Sequence, residues 1–440
     1  MTPVRLLPLT LALATALGAP AHAESLLELY DSARATDATW QAAKATYEAS
    51  IPRAAQARAG ILPSANLTAS QSLTHFETNN PPTSRTFPTQ NAVVSASHPL
   101  YRPVARLELR QAERRAELAE YLLTTSGQDL IIRVSQAYFD VLASQDTLAF
   151  VRAQKTAVAE QLASARRNFE VGTATITDTR EAQARYDLVL AQEIEAENDL
   201  RVKRLQLDTV VGKTGAQPNP LGVPIELPAP QPASPEAWVS QAEEAHPLVL
   251  QRRKEVEIAQ IETEKQKAAN KPTVDLTASH SITRSPDGNA TTAANIRPRS
   301  TSVNVLFAMP LFNGYLTQNR ILEALALEER SRADLEAARR TVAQAVRTAY
   351  FGIVSGQGRV RALEAAEASS QSALEANRLG YQVGVRINID VLNAQSQLFQ
   401  TKRDLARARY DVLLGHLRLR QANGTLSPED LQRLNALLAK

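Results

Sequence analysis

From Ala65 onward the chain alternates. Leu67, Ala69 and Leu73 fall on one face of an extended strand, and Asn66, Thr68, Ser70, Ser72 and Thr74 fall on the other. After a polar loop holding Asn79-Asn80-Pro81-Pro82, the alternation returns with Val94, Ala96 and Leu100 against Ser95 and Ser97. A cleaner version comes later. Val274, Leu276, Ala278 and Ile282 share one face, and Asp275, Thr277, Ser279, Ser281 and Thr283 share the other. Past Pro286-Asp287-Gly288, Val303, Val305, Phe307 and Met309 alternate with Ser302 and Asn304. A period of two predicts strands. Two strand pairs of ten or more residues each are therefore expected, at about 62–100 and 272–310. One apolar face and one Ser/Thr/Asn face is the pattern of an outer-membrane β-strand between lipid and a polar lumen.

Between the strand pairs the period changes to that of helices. A helix is predicted from about 24 to 58, with Leu26, Leu29 and Ala33 on one stripe, ended by Pro63. Arg102 to about Phe169 contains no proline after Pro103, and Thr317 to Leu379 contains none. A helix of about 65 residues would be roughly 100 Å long. A second helix follows each of these and carries a coiled-coil seam. Val391, Ala394, Leu398, Thr401, Leu405, Ala408, Val412, Gly415 and Leu419 step by three and four without a slip. Gly352, Gly356 and Gly358 interrupt the second long helix and predict a close helix contact or a kink.

These elements occur twice. Phe169–Asp178 matches Tyr381–Asp390 at a shift of 212 residues (390 less 178). Ala137-Tyr138-Phe139 matches Ala349-Tyr350-Phe351 in the same register. At that shift the first seam reads Thr179, Ala182, Tyr186, Val189, Glu193, Ala196, Leu200, Lys203 and Leu207. The expected organisation is a first repeat at 24–212, a proline-rich strap at 213–235, a second repeat at 236–426 and a tail at 427–440. The tail should form a short amphipathic helix on Leu431, Leu434, Leu437 and Leu438. Residues 1–23 have the form of a secretory signal: Arg5, the apolar run Leu6–Leu17, and Ala21-His22-Ala23.

Composition narrows the function. Aromatic residues are 5%, which suits long helices packed through small side chains better than a thick globular core. The chain has no cysteine, which excludes a disulfide scaffold, a thiolate metal site and lipidation of an N-terminal cysteine. A net charge of +3 gives no case for nucleic acid. The six histidines are scattered, with no His-Glu-x-x-His, Gly-x-Ser-x-Gly or phosphate-binding glycine loop, so neither an enzyme, a metal site nor a cofactor is expected. After the signal, no run approaches the ~20 apolar residues of a spanning helix.

Four strands per chain would leave two open edges in a membrane, which lipid cannot satisfy. Strands from several chains must close one barrel. Three chains give twelve strands, enough for a lumen, whereas two give eight and almost none. A homotrimer is expected. The competing reading is a soluble periplasmic coiled-coil adaptor or structural protein.

The twofold repeat of strand pair plus long helices, with the turns Phe169–Asp178 and Tyr381–Ala394, resembles the TolC family of outer-membrane efflux and type I secretion channels. The resemblance covers Glu24 to about Leu426. It implies a mainly α fold with membrane β: a trimeric 12-stranded β-barrel in outer-membrane lipid, continued by an α-helical barrel across the periplasm. It also implies a periplasmic adaptor and an inner-membrane transporter, ABC or proton-driven, as partners. Transport would be passive, gated at the periplasmic tip.

The same resemblance assigns roles at that tip. Asp390 would line the constriction, three copies in a ring, and carboxylate rings select cations. Family members often carry a second acid one turn later. Here Asn393 stands there, so the ring should be weaker. Arg386, where the first copy has Ala174, would form a latch with Tyr381, bonding to Thr177 or Asp178 of a neighbouring helix pair. Asp178 alone is equally expected to start its helix by capping it. Gly172, Thr173, Gly384 and Val385 sit at exposed turns that would meet the adaptor, though glycine there also serves turn geometry.

Overall fold

A computed structural model of the protein describes residues 24–222 and 227–436. The secretory signal, Pro224 of the strap, and Leu437 and Leu438 of the tail lie outside the described residues.

The chain folds as two copies of one plan. In the first, α1 (Leu26–Thr36) and α2 (Ala38–Arg58) lead into strands β1 (Ser64–Asn79) and β2 (Pro82–Tyr101). Helices α3 (Pro103–Glu170) and α4 (Ile176–Val211) follow. The second runs α5 (Pro235–Ala245), α6 (Pro247–Ala268), β3 (Thr273–Arg284), β4 (Arg299–Ala308), α7 (Leu316–Gln382) and α8 (Asn388–Asn423). A short α9 (Pro428–Asn435) ends the described chain. The long helices α3 and α7 have 68 and 67 residues, about 100 Å each.

The four strands form one antiparallel sheet in the order β1-β2-β3-β4. Register follows the side-chain alternation. Leu67 pairs with Val94, Val94 with His280, and Leu276 with Val305, so the apolar residues share one face. That face is uncovered: Leu67 is 73% exposed and Val303 is 68% exposed. Arg102, which joins β2 to α3, donates from Nε and Nη2 to Asp275 of β3 at 2.9 Å each. The fork ties the sheet to the first long helix at the point where the chain changes period.

Away from the sheet, α4 lies along α3 and α8 along α7. The predicted seams are the buried lines of these pairs. Leu398, Leu405, Val412 and Leu419 are buried in one copy, and Ala182, Val189, Ala196 and Leu207 in the other. Of the two charged seam residues, Glu193 is buried and Lys203 only partly so. The Glu193 carboxylate accepts from Lys155, and from Arg152 Nε at 3.3 Å, and the Lys155 hydrogen bond holds it below the usual carboxylate range. Of Gly352, Gly356 and Gly358, only Gly356 marks a close contact; the other two face open space, and none breaks the helix. The helix is continuous, and a Cβ at Gly356 would come within 2.8 Å of Val412 Cγ2.

Two features depart from the sequence reading. The helix expected from 24 to 58 breaks at Asp37, which caps α2 by accepting from the Trp40 amide at 2.7 Å. The chain also has a thick core at mid-length, although its aromatic content is low. Leu26 and Leu29 of α1 meet Leu130, Tyr138 and Phe139 of α3, Leu207 of α4, Tyr410 and Leu413 of α8, and Leu431 of α9. Four aromatic residues, Tyr30, Tyr138, Phe139 and Tyr410, are buried in it, and the rest of its bulk is leucine, isoleucine and valine, which the aromatic count does not register. Phe139 and Tyr410 pack with ring centroids 5.9 Å apart. Tyr410 Oη donates to Asp146 at 2.7 Å, and burial pushes both groups above their ordinary pKa.

Asp37 also accepts from both terminal nitrogens of Arg133, at 2.8 and 3.0 Å, which ties the α1–α2 corner to α3. The Arg133 hydrogen bond lowers the Asp37 pKa. Its stabilisation is therefore present above the unfolded carboxylate value of about 4 and lost as pH falls through the lower folded value. Asp37→Ala should destabilise the protein at pH 7 by on the order of 2–3 kcal/mol, cap and ion pair together. In thermal melts, the gap between variant and wild type should close as the pH falls below about 4.

Candidate gate at the helix tips

Each helix pair ends in the same turn. In the first copy, Thr173 and Ala174 amides return to the Asn168 carbonyl at 2.8 and 3.1 Å. In the second, Val385 and Arg386 amides return to the Gly380 carbonyl at 2.8 and 3.1 Å. Both turns need one left-handed residue, supplied by Gly172 (φ 78°) and Gly384 (φ 76°). Val171, Val383 and Val385 project from the turns, and all three are exposed. Thr173 is exposed as well, but its hydroxyl folds back onto the Asn168 carbonyl at 3.1 Å.

Asp178 and Asp390 occupy the same position, the third residue of α4 and of α8, but they are engaged differently. Asp178 closes a capping box: its Oδ2 accepts from the Thr175 amide at 3.0 Å and hydroxyl at 2.7 Å. Asp390 follows Ile387, which has no capping side chain. Its carboxylate is free of the helix end and, among the described residues, meets only Arg386, Nη1 to Oδ2 at 3.8 Å. Thr177 is exposed and makes no side-chain hydrogen bond among the described residues.

Within one chain the residues assigned to a latch are not all brought together. Arg386 reaches Asp390 of the helix that follows it, not Thr177 or Asp178. The Tyr381 hydroxyl accepts from Asn168 Nδ2 at 3.4 Å, and not from either of those residues. Comparing the two copies explains the arrangement. Arg386 lies over Gly380, where a Cβ would approach Arg386 Cγ to 2.7 Å. The matching residue of the first copy is Asn168, opposite the small Ala174. Thus glycine makes room for the arginine in one turn, and asparagine reaches across to the tyrosine in the other.

Other residues join the two pairs, and the sequence reading missed them. Asn388, fully buried, donates from Nδ2 to the Asp178 carbonyl at 3.2 Å. Its Oδ1 accepts from Gln161 of α3 at 2.5 Å. Leu392, one turn on, packs among Val158, Leu162, Ala182 and Val189. Asn393 accepts from Arg185 Nη2 at 2.9 Å. The position where a second acid would sit therefore has a cation beside it. A groove of about 490 Å³ between the pairs is lined by Gln161, Asn168, Tyr381 and Val391. Asn388 carried a signal: an amide in the first turn of a helix beside apolar Ile389, Val391 and Leu392.

Asn388→Ala removes both cross-pair bonds and leaves the Gln161 amide unpaired. Arg386→Ala removes the cation from above Asp390. Each is expected to loosen the tip and raise the leak conductance of the assembled channel in planar bilayers, and the double variant to raise it further. Unchanged currents would show that the gate is held elsewhere.

Among the described residues no three metal-ligating side chains converge, and no helix is long and apolar enough to cross a membrane.

Comparison with known proteins bears on the chain as a whole. The family model for outer membrane efflux protein matches residues 29–213 and 238–425, one stretch per copy. The outer membrane protein TolC of Vibrio cholerae is 33% identical over 433 residues, covering 98% of each chain. The alkaline protease secretion protein AprF of Pseudomonas aeruginosa is 32% identical over 424 residues, 94% of this chain and 88% of the relative. Among solved structures, a membrane protein from Pseudomonas aeruginosa superposes with a TM-score of 0.82 at 19% identity, covering 92% of each chain. The outer membrane protein VceC of Vibrio cholerae gives 0.79 at 16% identity, covering 91% of this chain and 96% of that one. The chain belongs to the outer membrane efflux protein family.

Proposed function

We propose that this protein is the outer-membrane exit duct of an export system, a passive channel gated at its periplasmic helix tips. The observation that carries the reading is the sheet. Its apolar face is bare, and its edges β1 and β4 have no partner among the described residues. Such a sheet is stable only when closed with other copies and surrounded by lipid. Three chains close twelve strands. The polar face, with Ser70, Ser95, Thr277, Ser279 and Asn304, then lines the lumen.

The helical part continues the duct into the periplasm. It supplies no chemical step, so energy must come from partners: a periplasmic adaptor at the tips and an inner-membrane transporter behind it. The exposed turns at Gly172, Thr173, Gly384 and Val385 are the surfaces offered to the adaptor. The latch, in this reading, forms between chains. Thr177 and the partly exposed Asp178 of one copy are left available to Arg386 of the next. A soluble adaptor would carry a compact β-rich domain between its helices. The described β-strands instead form one bare-faced sheet at one end of the helices.

The relative named for alkaline protease secretion favours a protein cargo over small molecules alone. Removing the gene should abolish release of a secreted protein into the medium, and the wild-type chain should restore it. Normal secretion with increased retention of a fluorescent dye would reassign the duct to small-molecule efflux.

A further inference from the structure

The bare face of the sheet is not apolar along its whole length. Going up β3 it reads Leu276, Ala278, His280, Ile282, Arg284. Coming down β4 the partners are Arg299 opposite Ile282, Thr301 opposite His280 and Val303 opposite Ala278. Pairing continues past the strand ends: Thr283 N–H donates to Pro298 O at 3.0 Å, and Ser285 bridges Ile296. The same register sets Arg297 opposite Arg284. Three arginines, 284, 297 and 299, thus share the lipid face at its end remote from the helices.

Their placement is unfavourable for the chain alone. Like charges directly opposite on a sheet are destabilising. All three side chains are exposed, and none forms an ion pair among the described residues. Arg85, nearby in the sheet, lies on the other face and is occupied, donating to the Asp287 carbonyl at 2.8 Å. The histidine below the cluster is also engaged: His280 Nδ1 and Thr301 Oγ1 are 2.8 Å apart.

Depth gives the reason for the cluster. The opposite end of the band is marked by exposed aromatic residues, Tyr101, Phe312 and Tyr315, in the manner of an interfacial girdle. From Phe307 to Arg299 the strand rises about 26 Å, or about 20 Å along the membrane normal at the usual barrel tilt. The arginines therefore stand where the hydrocarbon ends and the outer-leaflet headgroups begin. We infer that Arg284, Arg297 and Arg299 form a docking site for the phosphate groups of a phosphorylated outer-leaflet lipid. Guanidinium forks bind phosphate bidentately, and the lipid's acyl chains would lie along Ile282, Val303 and Val305. A trimer would carry three such sites. The inference rests on the outer-membrane duct reading, which fixes this end as external.

The test uses the purified full-length oligomer, delipidated in neutral detergent, with bound lipid counted by native mass spectrometry. The probes are a bisphosphorylated glucosamine lipid and, as a neutral control, phosphatidylcholine. Wild type should retain the phosphorylated lipid at least about tenfold better, and the preference should weaken at high salt. R284Q/R297Q/R299Q should lose the preference, and the matching triple lysine variant should keep most of it. Inorganic phosphate should not displace the lipid; if it does, the site is for a free anion and the proposal falls. Equal retention by wild type and the glutamine variant would also overturn it. If the triple variant does not assemble, Arg299→Gln alone should reduce the preference. Bilayer conductance of each variant reports separately on the duct reading, and is expected to match wild type.

Discussion

Asp390→Ala is expected to abolish the cation preference of the channel, bringing the ratio of potassium to chloride permeability down to about one. Asp390 is the acid in the tip turns whose carboxylate does not cap its own helix, whereas Asp178 is closed in a capping box. Three copies around an axis would concentrate charge at the narrowest point. The wild-type preference should still be moderate. Arg386 stands 3.8 Å from each Asp390, and Arg185 is bonded to Asn393. Asn393→Asp should strengthen cation selectivity, because it adds a second acid one turn on. Reversal potentials across a salt gradient measure both effects. A preference that survives Asp390→Ala would place the filter elsewhere.

The second large effect is on stability. Tyr138 is fully buried at the centre of the mid-length core, where it meets Phe139 edge-on at 5.6 Å. Its hydroxyl donates to the Asn219 carbonyl at 2.8 Å, fastening the strap to α3. Tyr138→Ala removes a large aromatic side chain and leaves a cavity, a loss of about 3–5 kcal/mol per chain. The strap carbonyl loses its partner as well. Tyr138→Phe keeps the ring and should cost only about 1 kcal/mol. The dissociation temperature of the oligomer should therefore fall steeply for alanine and slightly for phenylalanine. Equal losses would assign the role to the hydroxyl rather than to packing.

The parts of the fold legible in the sequence are those set by strict periods. Alternation placed Leu67, Val94, Leu276 and Val305 on one face because a strand has a period of two and one face was to meet lipid. The seam from Val391 to Leu419 was legible because α8 packs along α7 for its whole length. What escaped depends on a second neighbour. In a helical barrel α8 has two contact faces, and the one toward α3 and α4 is mixed: Asn388, Leu392 and Gln395, all buried. No regular hydrophobic period announces such a face.

The break at Asp37 escaped for a different reason. A single capping carboxylate ends one helix and starts the next without disturbing the apolar stripe of Leu26, Leu29 and Ala33. At the tip, the repeat itself held information beyond the Arg386–Ala174 difference. Gly380 against Asn168 is the other half of that asymmetry, and its meaning appears only when the arginine is seen lying over the glycine. Asp178 was open between two roles. Within the chain its carboxylate is used as a cap, and its role toward a neighbouring copy is the proposed one.

In the proposed reading, copies of this chain form a gated, water-filled duct through a membrane. Single-channel recording of the purified oligomer in a planar bilayer tests it most directly. A small, cation-selective conductance is expected, rising when Arg386 and Asn388 are replaced by alanine. Protein that remains soluble without detergent and passes no current in any variant would contradict it.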